Sequence, residues 1–189
     1  MKYRSVTAKQ LGGPEVLQIT EHELTPPARN HLRLRILAAS VSGPDITVRN
    51  GNALYSGTPL GKKPPFVPGY SVIGEVDAVG DGVSGFSIGD RVGALTVTGG
   101  YSEYLYWRAD RLIPVPEDLD PTDTVPVILN YIVAWQTMHR KAAARHGESA
   151  LIIGASGGIG TALLQLGRLS SLRMYGVASR RKHSVVKAH

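Results

Sequence analysis

The feature that most constrains the fold of this 189-residue chain is a glycine-rich turn at residues 154–160. Apolar residues 150–153 precede the turn in a pattern typical of a buried strand, and residues 159–169 follow it with the spacing of an amphipathic helix. A second strand is predicted at residues 173–178. The order strand, turn, helix, strand predicts two parallel strands that are joined by a right-handed crossover.

Glycines between a strand and a helix favour dinucleotide binding. A diphosphate must approach the backbone N–H groups at the helix N-terminus, and side chains there would block it. Gly160 would also let the helix pack closely on the strand, and such packing alone is the alternative explanation for the glycines. The predicted coenzyme loop comprises Gly154, Ala155, Ser156, Gly157, Gly158, Ile159 and Gly160.

The residues after the second predicted strand indicate which coenzyme is bound. An NAD site needs an Asp or Glu near this point to hold the ribose hydroxyls, and there is none. Ser179, Arg180 and Lys182 stand there instead, with Arg181 between them. Because guanidinium groups bind phosphate with paired donors, these residues predict NADPH, held through its 2′-phosphate. The alternative is an exposed basic helix start without a ligand.

Composition and charge exclude other classes of function. The absence of cysteine excludes disulfides and thiolate zinc sites. The formal charge is +6, but four of the 21 Lys and Arg residues lie in residues 180–189, which contain no acid. We therefore expect no nucleic-acid partner. Residues 151–166 are too polar to span a membrane and residues 1–10 lack a signal-peptide core, so we expect a cytoplasmic protein.

The first two thirds of the chain predict short strands separated by glycine and proline turns. Their irregular spacing predicts a small, partly open β-barrel. A helix is predicted to begin at Asp120-Pro121 and to end near Arg145, with Gly147 as a left-handed C-cap and His146 at the negative end of the helix. The predicted strands cover residues 31–41, 71–79, 91–95, 101–107 and 111–115.

Motifs along the whole chain carry a family resemblance. They lie at residues 12–17, 65–69, 74–76, 78–80, 85–92, 101–104 and 109–111. In order and spacing they resemble the medium-chain dehydrogenase/reductase superfamily, specifically its zinc-independent quinone oxidoreductase and enoyl reductase branch. The resemblance implies an α/β protein with a GroES-like, alcohol dehydrogenase-type catalytic domain at residues 1–120. Residues 121–189 would then form the N-terminal part of a Rossmann NAD(P)-binding domain.

The resemblance also implies which residues act in catalysis. Zinc-dependent relatives place a cysteine where Ser42 stands, so we expect no catalytic metal. Zinc-free relatives transfer hydride from NADPH to a quinone or to an α,β-unsaturated carbonyl. Their Asn-Pro-x-Asp element corresponds to residues 42–45, which makes Ser42 and Asp45 catalytic candidates, and Tyr55 is a further candidate donor. Asn130 and Val133 lie in a segment that resembles the one leading into the coenzyme cleft.

The chain ends before the second half that a doubly wound dinucleotide fold normally has. We therefore expect a C-terminally truncated family member with an open sheet edge, which could pair with a second copy. Two functions stay open. One is an NADPH-dependent reductase of a quinone or enone, of which this chain would be an inactive fragment. The other is a non-catalytic binding or interaction module, as in the vesicle amine transport protein group.

Overall fold

A computed structural model describes residues 1–52 and 63–189 of the chain. The chain divides into two compact units, Met1–Ile128 and Leu129–His189. The division falls within the helix at Pro121–Trp135. The domain boundary that the sequence places near residue 120 stays a prediction.

The first unit is built from antiparallel strands. They are β1 (Lys2–Ala8), β2 (Leu17–Glu23), β3 (His31–Ala39), β4 (Ser71–Val79), β5 (Arg91–Leu95), β6 (Tyr104–Arg108) and β7 (Ile113–Pro114). Five of these strands form one sheet in the order β6-β3-β4-β5-β7, and β1 pairs with β2 in a separate two-stranded ladder. A short helix, α1 (Gly43–Arg49), follows β3.

The alternation of residues along β3 explains how the large sheet is stabilised. Leu32 and Leu34 are fully buried, whereas Arg33 between them faces outward and donates from Nε to Asp77 of β4 at 2.5 Å. One face of the strand thus enters the core and the other carries cross-strand ion pairs. The main core cluster consists of Leu32, Leu34, Val72, Val76, Val92, Ala94 and Leu105.

The β1–β2 ladder is tied to the rest of the unit by backbone bonds. Ala8 and Phe66 exchange N–H to carbonyl hydrogen bonds of 2.8 and 3.2 Å, and Ser5 forms an isolated bridge with Ser102. Ala8, Val16, Val48 and Phe66 form a second apolar cluster. Sheet and ladder together agree with the predicted β-rich unit, while the partly open barrel stays a prediction.

Three predicted strands differ from the structure, and the one expected at residues 31–41 ends two residues early, at Ala39. The strand expected at residues 101–107 begins only at Tyr104, because the N–H of Tyr101 donates to Pro68 in a loop contact rather than to a strand. The strand expected at residues 111–115 is reduced to Ile113–Pro114, since residues 109–111 form a 3-10 turn. The prolines at positions 114 and 116 cannot donate backbone hydrogen bonds, which limits this edge strand.

The long helix α2 (Pro121–Trp135) begins as predicted. The side-chain Oδ1 of Asp120 accepts hydrogen bonds from the backbone N–H groups of Thr122 and Asp123, at 2.7 and 3.2 Å. The predicted C-terminus is wrong. After Trp135 the chain forms π-helical turns that end at Lys141, so Gly147 does not cap the helix and His146 is not in its last turn.

The second unit has the predicted strand–turn–helix–strand order. β8 (Ser149–Ile153) and β9 (Arg173–Val177) pair in parallel, and α3 (Gly158–Leu169) connects them. A 3-10 turn at Arg180–Lys182 and the short helix α4 (His183–Ala188) follow. Among the described residues, no helix combines the length and the apolar character that a membrane crossing requires.

Candidate functional site

The glycine-rich turn leaves β8 through a left-handed residue. Gly154 has φ +75°, a conformation that glycine adopts without strain. The N–H groups of Gly154 and Ala155 both donate to the carbonyl of Val177 at 3.0 Å, which ties the turn to the end of β9. Gly157 then serves as the N-cap of α3. The turn therefore lies at the carboxyl ends of both parallel strands, where open α/β sheets bind their ligands.

Neighbouring atoms restrict the glycines of the turn to different degrees. A Cβ on Gly160 would lie 2.5 Å from the carbonyl oxygen of Gly154, so only glycine lets α3 approach the strand this closely. A Cβ on Gly158 would lie 2.7 Å from the side-chain nitrogen of Asn130, which could move aside. At Gly157 a Cβ would lie 3.4 Å from the oxygen of Gly154, an ordinary contact. Packing therefore requires Gly160, restricts Gly158 and leaves Gly157 unexplained.

The first turn of α3 presents unused backbone donors. No side chain caps the helix at Gly157, and the first intrahelical bond runs from Thr161 N–H to the Gly157 carbonyl at 2.8 Å. In the described part of the chain, the N–H groups of Gly158, Ile159 and Gly160 have no hydrogen-bond partner. Free N–H groups and the positive end of the helix dipole favour an anion at this position.

Of the two predicted coenzyme residues on α2, only Asn130 is seen to border the glycine-rich turn. The side chain of Asn130 contacts Gly158. Val133 is half-buried one helical turn further on, and its carbonyl accepts a hydrogen bond from the Thr137 hydroxyl at 2.8 Å. The structure thus brings Asn130 to the predicted loop, and the role of Val133 stays a prediction.

The basic residues after β9 are exposed. Ser179 has an extended backbone and precedes the 3-10 turn that contains Arg180, Arg181 and Lys182. Within the residues that the structure describes, none of these three cations takes part in an ion pair. The backbone bond from Ala155 to Val177 holds the preceding strand end against the glycine-rich turn. Three cations without an ion pair among the described residues therefore follow the strand that borders the uncapped end of α3.

Ser42 and Asp45, the predicted catalytic residues, form one hydrogen-bonded group at the start of α1. Asp45 is buried, and its Oδ2 accepts bonds from the backbone N–H and the hydroxyl of Ser42, at 2.8 and 2.6 Å. Its Oδ1 accepts a bond from the N–H of Gly69 at 3.1 Å. The Ser42 hydroxyl proton is therefore engaged by Asp45 in this conformation. Tyr55 lies outside the described residues.

Tyr101 is a neighbour of this group that the sequence did not single out as functional. Its hydroxyl is buried and makes no hydrogen bond of normal length within the described ranges 1–52 and 63–189. Burial, followed by the negative charge of Asp45, raises the pKa of Tyr101, so the phenol stays neutral. For Gly69, the sequence likewise indicates no function beyond its place in the motif at residues 65–69. The bond from Gly69 to Asp45 joins residues 24 positions apart, which no local sequence pattern reveals.

Residues 1–52 and 63–189 contain no group of three or more His, Cys, Asp or Glu side chains that could hold a metal ion. His139 instead contacts the ring of Trp135, with 5.2 Å between the ring centroids. The predicted absence of a catalytic metal stays a prediction about the whole protein.

Comparisons with known proteins show which proteins this chain is similar to. Residues 28–117 match the model of the alcohol dehydrogenase GroES-like domain. The rat quinone oxidoreductase is 36% identical over 93% of this chain and 52% of its own length. The crystal structure of the human synaptic vesicle membrane protein VAT-1 homolog-like protein matches with TM-score 0.91 and 30% identity, over 100% of this chain and 60% of that one. A mycobacterial protein solved with NADPH matches with TM-score 0.86 and 26% identity, over 98% of this chain and 56% of that one.

The chain is similar to quinone oxidoreductases and carries a match to the GroES-like domain, which agrees with the resemblance to the medium-chain dehydrogenase/reductase superfamily. It spans about half the length of the curated relatives that it matches. The first unit contains the GroES-like domain, and the second unit begins the α/β region that follows it in these proteins.

Proposed function

We propose that this chain supplies the catalytic domain and half of the coenzyme site of an NADPH-dependent, zinc-independent oxidoreductase. The substrate class is a quinone or an α,β-unsaturated carbonyl compound, and the α/β region is the start of a Rossmann domain. The observation that carries the proposal is the uncapped N-terminus of α3 beside Gly157, a glycine that packing does not require. A diphosphate bound there would use the free N–H groups and need the space that a side chain would fill.

The relatives support the redox part of the proposal. Proteins named quinone oxidoreductase are 34–36% identical to this chain over about half of their length. The mycobacterial protein that was solved with NADPH shares the fold of all but a small part of this chain. NADPH supplies the hydride in such reactions, and the protein binds and orients both reactants.

Ser42 is proposed to polarise the substrate carbonyl by donating its hydroxyl proton. In the structure that proton is donated to Asp45, so the hydroxyl must rotate before it can serve a substrate. Asp45 would still accept the N–H groups of Ser42 and Gly69, which keeps its buried charge satisfied during the rotation. Asp45 is thus proposed to hold Ser42 in place.

Coenzyme selectivity tests the proposal. NADPH and NADH are titrated calorimetrically into the wild-type chain and into a variant with Arg180→Ala and Lys182→Ala. We expect the double substitution to weaken NADPH binding about tenfold or more, because two charge-assisted contacts to the 2′-phosphate are lost, while NADH binding stays unchanged. Arg173→Ala, which removes an exposed cation from the start of β9, serves as the matched control. Equal losses for both coenzymes would remove the phosphate assignment.

A second candidate function is a non-catalytic interaction module. Leu151, Ile153 and Tyr175 lie on one face of the β8–β9 pair and are 64%, 82% and 57% exposed, whereas parallel strands normally have both faces covered. A panel of quinones and enones with NADPH separates the two functions. Oxidation of NADPH by the 189-residue chain supports the reductase; self-association without turnover supports the module.

A further inference from the structure

The basic turn at Arg180–Lys182, after β9, is bridged by the side chain of His183, which has no role in the proposed function. The Nε2 atom of His183 lies 3.1 Å from the carbonyl oxygen of Ala178, the residue that follows β9. A carbonyl oxygen can only accept a hydrogen bond, so Nε2 must carry the proton. His183 therefore bridges the whole turn, from Ala178, two residues before Arg180, to its own position directly after Lys182.

Little else holds the turn in one conformation. Its backbone bonds run from the N–H of Lys182 to Ser179, at 2.8 Å, and from the N–H of His183 to Arg180. Such 3-10 bonds have poor geometry and rarely persist over long stretches. Arg180, Arg181 and Lys182 stand next to one another and repel, and no described acidic side chain pairs with them. The His183 bond opposes this repulsion.

We infer that His183 is a positioning residue for the 2′-phosphate: its ring keeps Arg180 and Lys182 in the arrangement that accepts this group. The inference rests on the proposed function, since it assumes that the turn meets the adenosine ribose. A turn that is ordered before the ligand arrives loses less conformational freedom on binding. Because His183 acts through the turn, its effect is confined to ligands that carry the 2′-phosphate.

Binding of two adenine nucleotides tests this inference. The probes are 2′,5′-ADP, which carries the 2′-phosphate, and 5′-ADP, which lacks it. His183→Phe keeps a ring but removes the donor, and His183→Gln restores an N–H donor. Lys187→Ala, on α4 outside the turn, controls for the basic charge of the segment. Dissociation constants are measured by titration calorimetry at fixed ionic strength, and circular dichroism checks that each variant is folded.

The expected results differ between the two nucleotides. His183→Phe raises the dissociation constant of 2′,5′-ADP about 2- to 10-fold, the effect of losing one hydrogen bond, and leaves that of 5′-ADP unchanged. His183→Gln recovers most of the affinity, and Lys187→Ala changes neither constant more than about twofold, as exposed charges have small effects. If His183→Phe does not fold, His183→Leu takes its place.

Other results overturn the inference in distinguishable ways. If the affinity for 2′,5′-ADP is unchanged, or if both nucleotides weaken equally, His183 does not position the phosphate-binding turn. If the wild-type chain binds neither nucleotide, the proposed coenzyme site itself is wrong, and the inference is overturned with it.

Discussion

At the scale of single residues, Asp45 shows how this protein stabilises a buried charge. The carboxylate accepts three hydrogen bonds, two from Ser42 and one from Gly69, and thereby joins the start of α1 to the loop before β4. Burial of a carboxylate is costly unless such donors surround it. The neutral phenol of Tyr101 beside it adds no second charge. The same group can therefore support the fold and hold the proposed catalytic hydroxyl.

Removing this carboxylate should destabilise the first unit. We expect Asp45→Ala to lower the free energy of unfolding by about 3 kcal/mol, because buried N–H donors of Ser42 and Gly69 would lose their acceptor. Urea denaturation, followed by circular dichroism, measures the effect. Asp110→Ala is the control: it breaks an exposed ion pair with Arg108 and should cost at most about 1 kcal/mol. Similar losses in the two variants would contradict this role for Asp45.

At the scale of elements, the N-terminus of α2 has a pH-dependent cap. Hydrogen bonds from the Thr122 hydroxyl, and then from the backbone N–H groups of Thr122 and Asp123, hold the pKa of Asp120 below its usual value. A lowered pKa in the folded state stabilises the protein above the pKa of the unfolded chain. That stabilisation is lost as the pH falls through the folded-state pKa.

Asp120→Asn should therefore remove part of the acid sensitivity of the fold. Asparagine keeps a capping oxygen but does not titrate, so we expect the free energy of unfolding to fall less steeply below about pH 4 than in the wild type. Chemical denaturation at a series of pH values gives the slope. Asp118→Asn, an exposed substitution two residues earlier, is the matched control. Identical slopes in the wild type and Asp120→Asn would refute the assignment.

Local patterns predicted some elements well. β4 and β5 occupy the predicted residues, and β8, α3 and β9 begin and end within about one residue of theirs, because alternation and glycine punctuation are local signals. The hydrogen bond between Gly69 and Asp45 could not be predicted in this way, because it joins residues 24 positions apart. No local pattern indicated the π-helical turns after Trp135 either. Among the site residues, Asn130 came from family resemblance, and only the structure shows its contact with Gly158.

At the scale of the whole molecule, charge is divided unequally between the units. Residues 129–189 contain nine of the 21 Lys and Arg residues but only one of the 15 Asp and Glu residues. The sequence analysis placed the excess of positive charge mainly in residues 180–189. The division into units shows that it extends over the whole second unit. Such a field raises the local concentration of anionic ligands and weakens as salt is added.

The exposed apolar face of the second unit should make the chain associate with itself. We expect sedimentation velocity to show oligomers that grow with protein concentration, and a variant with Ile153→Lys and Tyr175→Lys to shift toward monomer, because charges on that face oppose its burial. Ile88→Lys makes the same kind of change at a 72% exposed position of the first unit and should have no effect. A wild-type chain that stays monomeric throughout would contradict this expectation.

Calorimetric titration of NADPH into wild type and Gly157→Ala tests the central claim most directly, namely that the bare backbone of the glycine-rich turn binds the coenzyme diphosphate. The added methyl group makes only an ordinary contact within the protein, so the unfolding midpoint should not change. Because the methyl group would stand where the diphosphate approaches, we predict that the dissociation constant rises about tenfold or more. Equal NADPH affinity in the two proteins, or no binding to the wild type, would contradict the account.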